Sequence, residues 1–232
     1  MKTAFCIVLV GTLALCLASA GAEPKSEVKD AIKKLGSQPN YSWSFTPKTE
    51  GSESASRQGP IQGKIEMDGI TWIKGTSGDT PFEAAAKGNK YAVNYNSEWV
   101  TVDENDETTG AIAKRLKAVI NPLETAEALA GNAGNLKKEP AGLYSGELSS
   151  EGAKELFRKL GRRAAEAQEA KGSVKFWVKD GLLTKYEYNV KGKITVGADK
   201  REVDISRTVT VEIQDVGSTK ITLPEEARKK LA

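Results

Sequence analysis

Residue types that carry catalysis or bind metals are scarce in this sequence of 232 residues. It contains no histidine, and its two cysteines, Cys6 and Cys16, both fall near the amino terminus. Imidazole catalysis and the usual His or Cys metal sites are therefore excluded for the rest of the chain. Neither a glycine-rich phosphate loop nor a nucleophile-elbow pattern is present. We predict that the protein is not an enzyme and uses no metal or cofactor.

Two charged clusters could still bind a ligand. The acidic cluster comprises Asp103, Glu104, Asp106 and Glu107. Its spacing fits no EF-hand loop, so we interpret these acids as stabilising the start of the helix that follows. The basic cluster comprises Arg158, Lys159, Arg162 and Arg163. It could meet anionic headgroups, although a solvated helix face is the simpler interpretation. The formal net charge of +3 argues against a nucleic-acid surface.

The remaining candidates for binding are apolar side chains on predicted strands. Between residues 203 and 213 a β-branched residue occupies every second position, and Arg207 is the one polar member of that series. Ser, Thr and acidic residues fill the positions between. Such alternation predicts a strand with one dry face and one wet face. The dry face is either a packed core or the lining of a ligand cavity.

A hairpin just before this strand contains a conflict. Asp180-Gly181 suits a two-residue turn between strands at 174–179 and 182–190. Strict two-residue pairing places Phe176 on one face and Tyr186 and Tyr188 on the other. Either the hairpin carries an extra residue, or both faces of the sheet meet apolar material.

The other elements frame this sheet. Strands are predicted at 40–46, at 61–67 and 70–74 around the Asp68-Gly69 turn, and at 90–95 and 98–102. The hairpin around Asp68-Gly69 would place Ile65, Met67, Ile70 and Trp72 on one face. Helices are predicted at 26–36, on both sides of an Asn121-Pro122 break, at 150–170 and after Pro224. The fold class is therefore α+β, with an antiparallel sheet and the helices gathered on one side.

The amino terminus is typical of a secretory signal peptide. Lys2 precedes an apolar core, and small residues allow cleavage after Ala20 or Ala22. We expect a signal peptide at 1–22, a single domain at 23–232, and a periplasmic or secreted protein. Leu15 stands where a lipidation box needs a small residue, so a lipid anchor at Cys16 is not expected.

Several stretches together resemble the LolA-like superfamily of periplasmic lipoprotein carriers. They are the Asp68-Gly69 hairpin, GNKYAVNYNSEWV, Asn121-Pro122-Leu123 before a helix, and LYSGELS. The tail DVGSTKITLPEEA resembles the mycobacterial LppX/LprG group. This resemblance implies a curved antiparallel half-barrel with helices covering its concave side, and a concave face that holds acyl chains.

On this resemblance we predict a monomer that carries a lipid or lipoprotein acyl chain in an apolar cavity, with a membrane partner in the cell envelope as a further partner. The alternative is an envelope sensor or interaction module on the same fold. A cavity would favour the first function, and a filled sheet with an exposed apolar patch would favour the second. The predicted ligand-binding residues are Ile65, Met67, Trp72, Tyr91, Val93, Val100, Phe176, Val178, Tyr186, Tyr188, Val209 and Val211.

Overall fold

The structure is a computed structural model that describes residues 23–51, 58–66, 68–77, 80–95, 97–159, 167–196 and 201–232. The predicted signal peptide and both cysteines lie outside the described residues. So do Met67 of the predicted ligand-binding set and the two arginines of the basic cluster at 162 and 163.

Helices and strands account for most of the described residues. The helices are α1 (Pro24–Gly36), α2 (Gly110–Ile120), α3 (Pro122–Asn132), α4 (Ser150–Lys159) and α5 (Glu225–Leu231). The strands before α2 are β1 (Asn40–Glu50), β2 (Gln58–Glu66), β3 (Ile70–Ser77), β4 (Thr80–Lys87), β5 (Lys90–Tyr95) and β6 (Glu98–Val102). Those after α3 are β7 (Lys137–Glu139), β8 (Leu143–Glu147), β9 (Gln168–Lys179), β10 (Leu182–Val196) and β11 (Arg201–Gln214).

The described strands form one antiparallel sheet in the order β6-β5-β4-β3-β2-β1-β11-β10-β9-β8-β7. Consecutive strands pair with each other, except β6 and β7, which lie at the two edges of the sheet. The first and last strands, β1 and β11, pair in its middle. The sheet is open, and the predicted α+β class with an antiparallel sheet is confirmed.

The two faces of the sheet differ in their cover. We call the face under α1, α2, α3 and α4 the inner face, because their buried apolar residues join one core cluster with it. The opposite, outer face is mostly polar, but α5 packs against β4, β5 and β6 there. The prediction that all helices gather on one side is therefore wrong for α5. Its Ala227 and Leu231, together with Leu223 just before the helix, form a second small core with Trp99.

The strand β11 has the predicted alternation. Ile205, Val209, Val211 and Ile213 are buried on the inner face, and the residues between them are partly or fully exposed. Arg207 lies in the same buried row with an exposed fraction of only 4%.

A β-bulge resolves the conflict in the β9–β10 hairpin. Val178 pairs with Leu183, but Trp177 pairs with Lys185, so Thr184 is the extra residue. Its hydroxyl donates a hydrogen bond of 3.2 Å to the carbonyl oxygen of Trp177. Beyond the bulge, Tyr186 pairs with Phe176. The first alternative is thus confirmed, and Phe176, Tyr186 and Tyr188 share the inner face.

The β2–β3 hairpin corrects a predicted face. β2 ends at Glu66 and β3 begins at Ile70, and Ile65 pairs with Thr71 instead of Trp72. A two-residue turn would have set the register one residue differently, and a shift of one residue moves side chains to the other face. Ile65 is therefore on the inner face, whereas Ile70 and Trp72 are on the outer face.

The predicted break between two helices at Asn121-Pro122 is present, but another predicted helix boundary is wrong. The Asn121 side chain accepts a hydrogen bond of 3.2 Å from the Glu124 backbone N–H, which caps α3 as predicted. In contrast, the helix predicted at 150–170 is wrong at its carboxyl end. α4 ends at Lys159, and β9 begins at Gln168, where burial alternates with period two.

Candidate functional site: the inner face of the sheet

Cross-strand pairs on the inner face join into a continuous apolar row. Its members in order are Phe176, Tyr186, Val211, Phe45, Ile61, Gly75 and Phe82. Asn94 pairs with Glu83, so the next residue, Tyr95, lies beside Phe82 at the far end of this row. Burial of the side chains decreases along this row from β9 to β5. Phe176 and Tyr186 are buried, Phe82 is partly buried, and Tyr95 is 65% exposed. We call Phe82, Tyr95 and Val100 the open edge of the inner face.

Small residues in the middle of the inner face make room for one indole. A Cβ atom placed on Gly63 would lie 2.1 Å from Cζ2 of Trp43, so the Trp43 ring rests directly on the Gly63 backbone. Gly75 is also closely covered, with the Pro60 carbonyl oxygen 2.8 Å from its Cβ position. Ala84 and Ala86 of β4 extend this series of small inner-face residues toward the edge of the sheet.

Helices cover the other half of the inner face tightly. Val28, Ile32 and Leu35 of α1 are fully buried, and Phe157 of α4 lies over Gly192. The Tyr186 hydroxyl donates a hydrogen bond of 2.9 Å to the carbonyl oxygen of Pro122, which fixes the start of α3 over the sheet. The cleft between α3 and α4 holds only about 10 Å³, and Phe157 of α4 and Phe176 of β9 are fully buried.

Burial controls the ionisation of the polar groups on this face. Desolvation raises the pKa of the Tyr188 phenol to about 12, and it raises that of Tyr186 well above its ordinary value. Burial also lowers the pKa of Arg207, whose guanidinium donates a hydrogen bond of 3.2 Å to the Thr49 hydroxyl. The tyrosines are therefore neutral hydrogen-bond donors, and Arg207 places a cation at the end of the apolar face.

A carboxylate fastens α1 to the edge of the sheet. Oε2 of Glu27 accepts hydrogen bonds of 2.6 Å from Lys138 and 2.5 Å from the Tyr144 hydroxyl. The hydrogen bond from Lys138 is the main reason why the pKa of Glu27 lies below its ordinary value of 4.5. The stability that this contact contributes is therefore present above pH 4.5, and it is lost as pH falls through the lowered folded-state pKa.

We expect Glu27→Gln to lower the melting temperature at neutral pH, because it removes the charge that holds Lys138. The gap between wild type and variant should shrink as the pH is lowered below 4.5, since Glu27 itself becomes neutral there. Thermal melts across this pH range measure the gap. A gap of constant size from neutral pH to well below the folded-state pKa would contradict the assignment of the charge to this contact.

The charged clusters found in the sequence have structural partners. Oδ1 of Asp106 accepts hydrogen bonds of 2.7 Å from the Thr109 N–H and 2.6 Å from the Thr108 hydroxyl. The Thr108 hydroxyl is the main cause that lowers the pKa of Asp106 to about 2. In the basic cluster, Arg158 forms an ion pair with Glu151. Across the described ranges, no group of three His, Cys, Asp or Glu residues could hold a metal ion.

A polar cleft of about 430 Å³ lies at the far end of β1, β9, β10 and β11. Its charged lining consists of Glu50, Glu169, Lys171, Lys191, Lys193 and Asp204. Register pairs of Ser206 with Glu50 and with Lys191 place this cleft on the outer face. Acids and lysines balance there, so the cleft is a solvated surface and not part of the apolar row.

The structure brings most of the predicted ligand-binding residues together on the inner face. These are Ile65, Tyr91, Val93, Val100, Phe176, Val178, Tyr186, Tyr188, Val209 and Val211. Trp72 lies on the outer face, where its indole N–H donates a hydrogen bond of 2.5 Å to Glu83, and Met67 lies outside the described residues. Whether any of these residues binds a ligand stays a prediction.

Three aromatic residues of the inner face were missed. Tyr41, Trp43 and Phe45 occupy alternate positions of β1 and pair with apolar residues of β2. The signal was visible as aromatic alternation in the segment NYSWSFT. It could not be placed on a face without knowing that β1 pairs with β11 in the centre of the sheet.

The fold is an open antiparallel sheet with α1, α2, α3 and α4 over its inner face. The chain is similar to the lipoprotein LppX from Mycobacterium tuberculosis, with a TM-score of 0.53 and 9% identity over 87% of this chain and 98% of that one. This likeness shows a shared fold and confirms the predicted fold.

Two further solved structures resemble the chain. They are LprF from Mycobacterium bovis (TM-score 0.49, 10% identity, 88% of this chain and 97% of that one) and a LolA-superfamily protein from Nitrosomonas europaea (TM-score 0.34, 12% identity, 88% and 96%). No protein-family model matches the sequence, and neither does any curated protein. Among the described residues, no helix has the length and apolar character needed to cross a membrane.

Proposed function

We propose that the inner face binds the acyl chain of a lipid or lipoprotein, and that the protein carries this ligand in the cell envelope. The observation that supports the proposal best is the apolar row from Phe176 to Tyr95. It crosses eight of the eleven strands of the sheet, from β9 to β5, and separate helices cover it instead of a second sheet. A cover made of separate helices can move without unpairing the sheet.

The energetics of such binding need no specific polar contact. Each methylene group buried on the inner face contributes roughly 0.8 kcal/mol, so a long acyl chain reaches useful affinity through burial alone. Phe176 and Tyr186 are already in contact with the helices, so the ligand enters at the open edge and the cover moves to admit it. Association is then slower than diffusion.

The LppX-like fold supports the proposal as an analogy, because the superfamily that the sequence resembles carries acyl chains. The proposal includes export: the segment 1–22 directs the protein out of the cytoplasm and is cleaved after Ala20 or Ala22. We also propose that the exported protein is a monomer and does not catalyse a reaction. Small residues at the cleavage positions support this part of the proposal.

A second candidate function is an interaction module of the envelope. It is favoured by two observations: Phe176 and Tyr186 are fully buried on the face, and two large apolar side chains are exposed among the described residues. These are Tyr95 (65%) and Ile112 (40%). A partner protein would cover them without entering the sheet.

Neighbouring glutamate variants of β6 test the carrier function. Val100 is partly buried on the inner face at the open edge, whereas Thr101 is exposed on the outer face. We expect Val100→Glu to weaken the binding of a fluorescent fatty-acid probe about tenfold or more, because it places a charge beside the alkyl chain. Thr101→Glu should bind like wild type. Titration of the probe into each purified protein gives the two dissociation constants.

Circular dichroism and melting curves establish that both variants are folded. If wild type binds no apolar probe, or if both glutamates weaken binding equally, the carrier function is wrong. The interaction module then becomes the better explanation, and Tyr95 and Ile112 become the residues to replace.

A further inference from the structure

Two buried hydrogen-bond donors stand side by side on the inner face of β1. Tyr41 is 3% exposed and Trp43 is 2% exposed, and their ring centroids are 6.1 Å apart. Within the part of the chain that the structure describes, neither the Tyr41 hydroxyl nor the Trp43 indole nitrogen has a hydrogen-bond partner. Both polar atoms are shielded from solvent, so each forgoes a hydrogen bond that it would make in water.

Other polar aromatic residues of the same sheet do have partners. The Tyr186 hydroxyl binds the Pro122 carbonyl oxygen at 2.9 Å, and the Tyr144 hydroxyl binds Glu27 at 2.5 Å. The Trp72 indole on the outer face binds Glu83 at 2.5 Å. A Tyr or Trp that is buried normally finds such a partner. Two neighbouring exceptions on the face proposed to bind a ligand therefore need an explanation.

The surroundings of the pair decide what kind of acceptor fits. Tyr41 pairs with Ile65, and Trp43 pairs with Gly63 and Ile213, so these strand neighbours present no charge. The cation of the inner face, Arg207, pairs with Thr49, which is six residues beyond Trp43 along β1. At about 3.3 Å per residue this is roughly 20 Å away. A carboxylate at the pair would be buried beside uncharged strand partners and far from Arg207, at a large cost in free energy.

We propose that Tyr41 and Trp43 form a polar subsite for a neutral oxygen acceptor of the ligand, namely the carbonyl oxygen of an acyl ester or amide. This rests on the proposed function, and it narrows the ligand class to acylated lipids or lipoproteins instead of free fatty acids. The apolar row receives the alkyl chain, and the two donors fix where its carbonyl end lies.

Three probes of matched chain length test the subsite with the full protein. They are methyl palmitate, which has a neutral carbonyl, hexadecane, which has no acceptor, and palmitate, which is charged. We expect methyl palmitate to bind wild type about threefold to tenfold more tightly than hexadecane for each hydrogen bond made. Palmitate should bind more weakly than methyl palmitate at neutral pH.

Conservative variants connect this preference to the two residues. Tyr41→Phe should reduce the preference for methyl palmitate over hexadecane by about threefold to tenfold and leave hexadecane binding unchanged. Trp43→Phe should do the same if it folds. A preference that is absent in wild type, or unchanged in Tyr41→Phe, would overturn the subsite while the carrier function stands. Failure of all three probes to bind would overturn both.

Stability without ligand gives an independent measurement. Tyr41→Phe removes a hydroxyl that has no partner, so its melting temperature should equal or exceed that of wild type. Tyr186→Phe removes a hydroxyl that binds Pro122, so it should melt about 2–4 °C lower. If Tyr41→Phe is destabilised as much as Tyr186→Phe, a trapped water already satisfies the hydroxyl, and the subsite is wrong.

Discussion

Val211→Asp is expected to destabilise the protein by about 3–5 kcal/mol. Val211 is 1% exposed and lies mid-strand in β11, between Phe45 of β1 and Tyr186 of β10 on the inner face. An aspartate there has no cation beside it in the apolar row, so it either buries its charge or takes up a proton. Chemical denaturation at neutral pH measures the loss of unfolding free energy. The loss should shrink at acidic pH, where protonation removes the charge.

The matched control is Thr208→Asp on the same strand. Thr208 is on the outer face, where Asn189 donates a hydrogen bond of 2.9 Å to its hydroxyl, and Lys48 is its partner on β1. An aspartate can accept the same hydrogen bond and face the lysine, so it should cost under about 1 kcal/mol. Thr210 is less suitable because its hydroxyl donates to Glu187. Equal losses at positions 208 and 211 would show that the two faces are assigned wrongly.

Strict alternation made β11 predictable from the sequence. One polar residue in its inner row, Arg207, did not disturb the pattern, because the row also carries four buried β-branched residues. The hairpins were predictable as pairs of strands but not in register. In one hairpin Thr184 is an extra residue, and in the other Ile65 pairs with Thr71 instead of Trp72; short-range patterns do not reveal such shifts of register.

The second cover of the sheet was not foreseen. Trp72 was placed with the inner residues because a two-residue turn at Asp68-Gly69 would pair it with Ile65. The tail of the chain instead brings Leu223 and Leu231 to the outer face, which makes a dry site for Trp72 and Trp99 there. Nothing in the spacing of β3 indicates which face a distant helix will cover.

The candidate site was predictable in type and only partly in position. The sequence predicted that apolar strand residues bind the ligand, and ten of the twelve predicted residues do share the inner face. The contribution of β1 could not be foreseen, because its importance comes from pairing with β11 across more than 150 residues of sequence, as in Trp43 with Ile213. Long-range pairing of this kind is not encoded in local periodicity.

Gly63→Ala is expected to cost about 1–3 kcal/mol, a large effect for one methyl group. The new Cβ would lie 2.1, 2.3 and 2.5 Å from three atoms of the Trp43 ring, and the buried indole cannot move away without disturbing its neighbours. By contrast, Gly131 in α3 has open space at its Cβ position. Gly131→Ala should therefore be neutral or stabilising by up to about 1 kcal/mol, since alanine favours the helix.

A double-mutant cycle separates this steric contact from a general intolerance of β2. Trp43→Ala alone should cost about 3–5 kcal/mol, because it removes a large buried ring. Adding Gly63→Ala to that variant should cost almost nothing further, since the methyl group enters the space that the ring has left. The double variant should thus be about 1–3 kcal/mol more stable than the sum of the two single losses predicts. Strictly additive losses would mean that Gly63 is needed for its backbone conformation, and that the Trp43 ring does not rest on it.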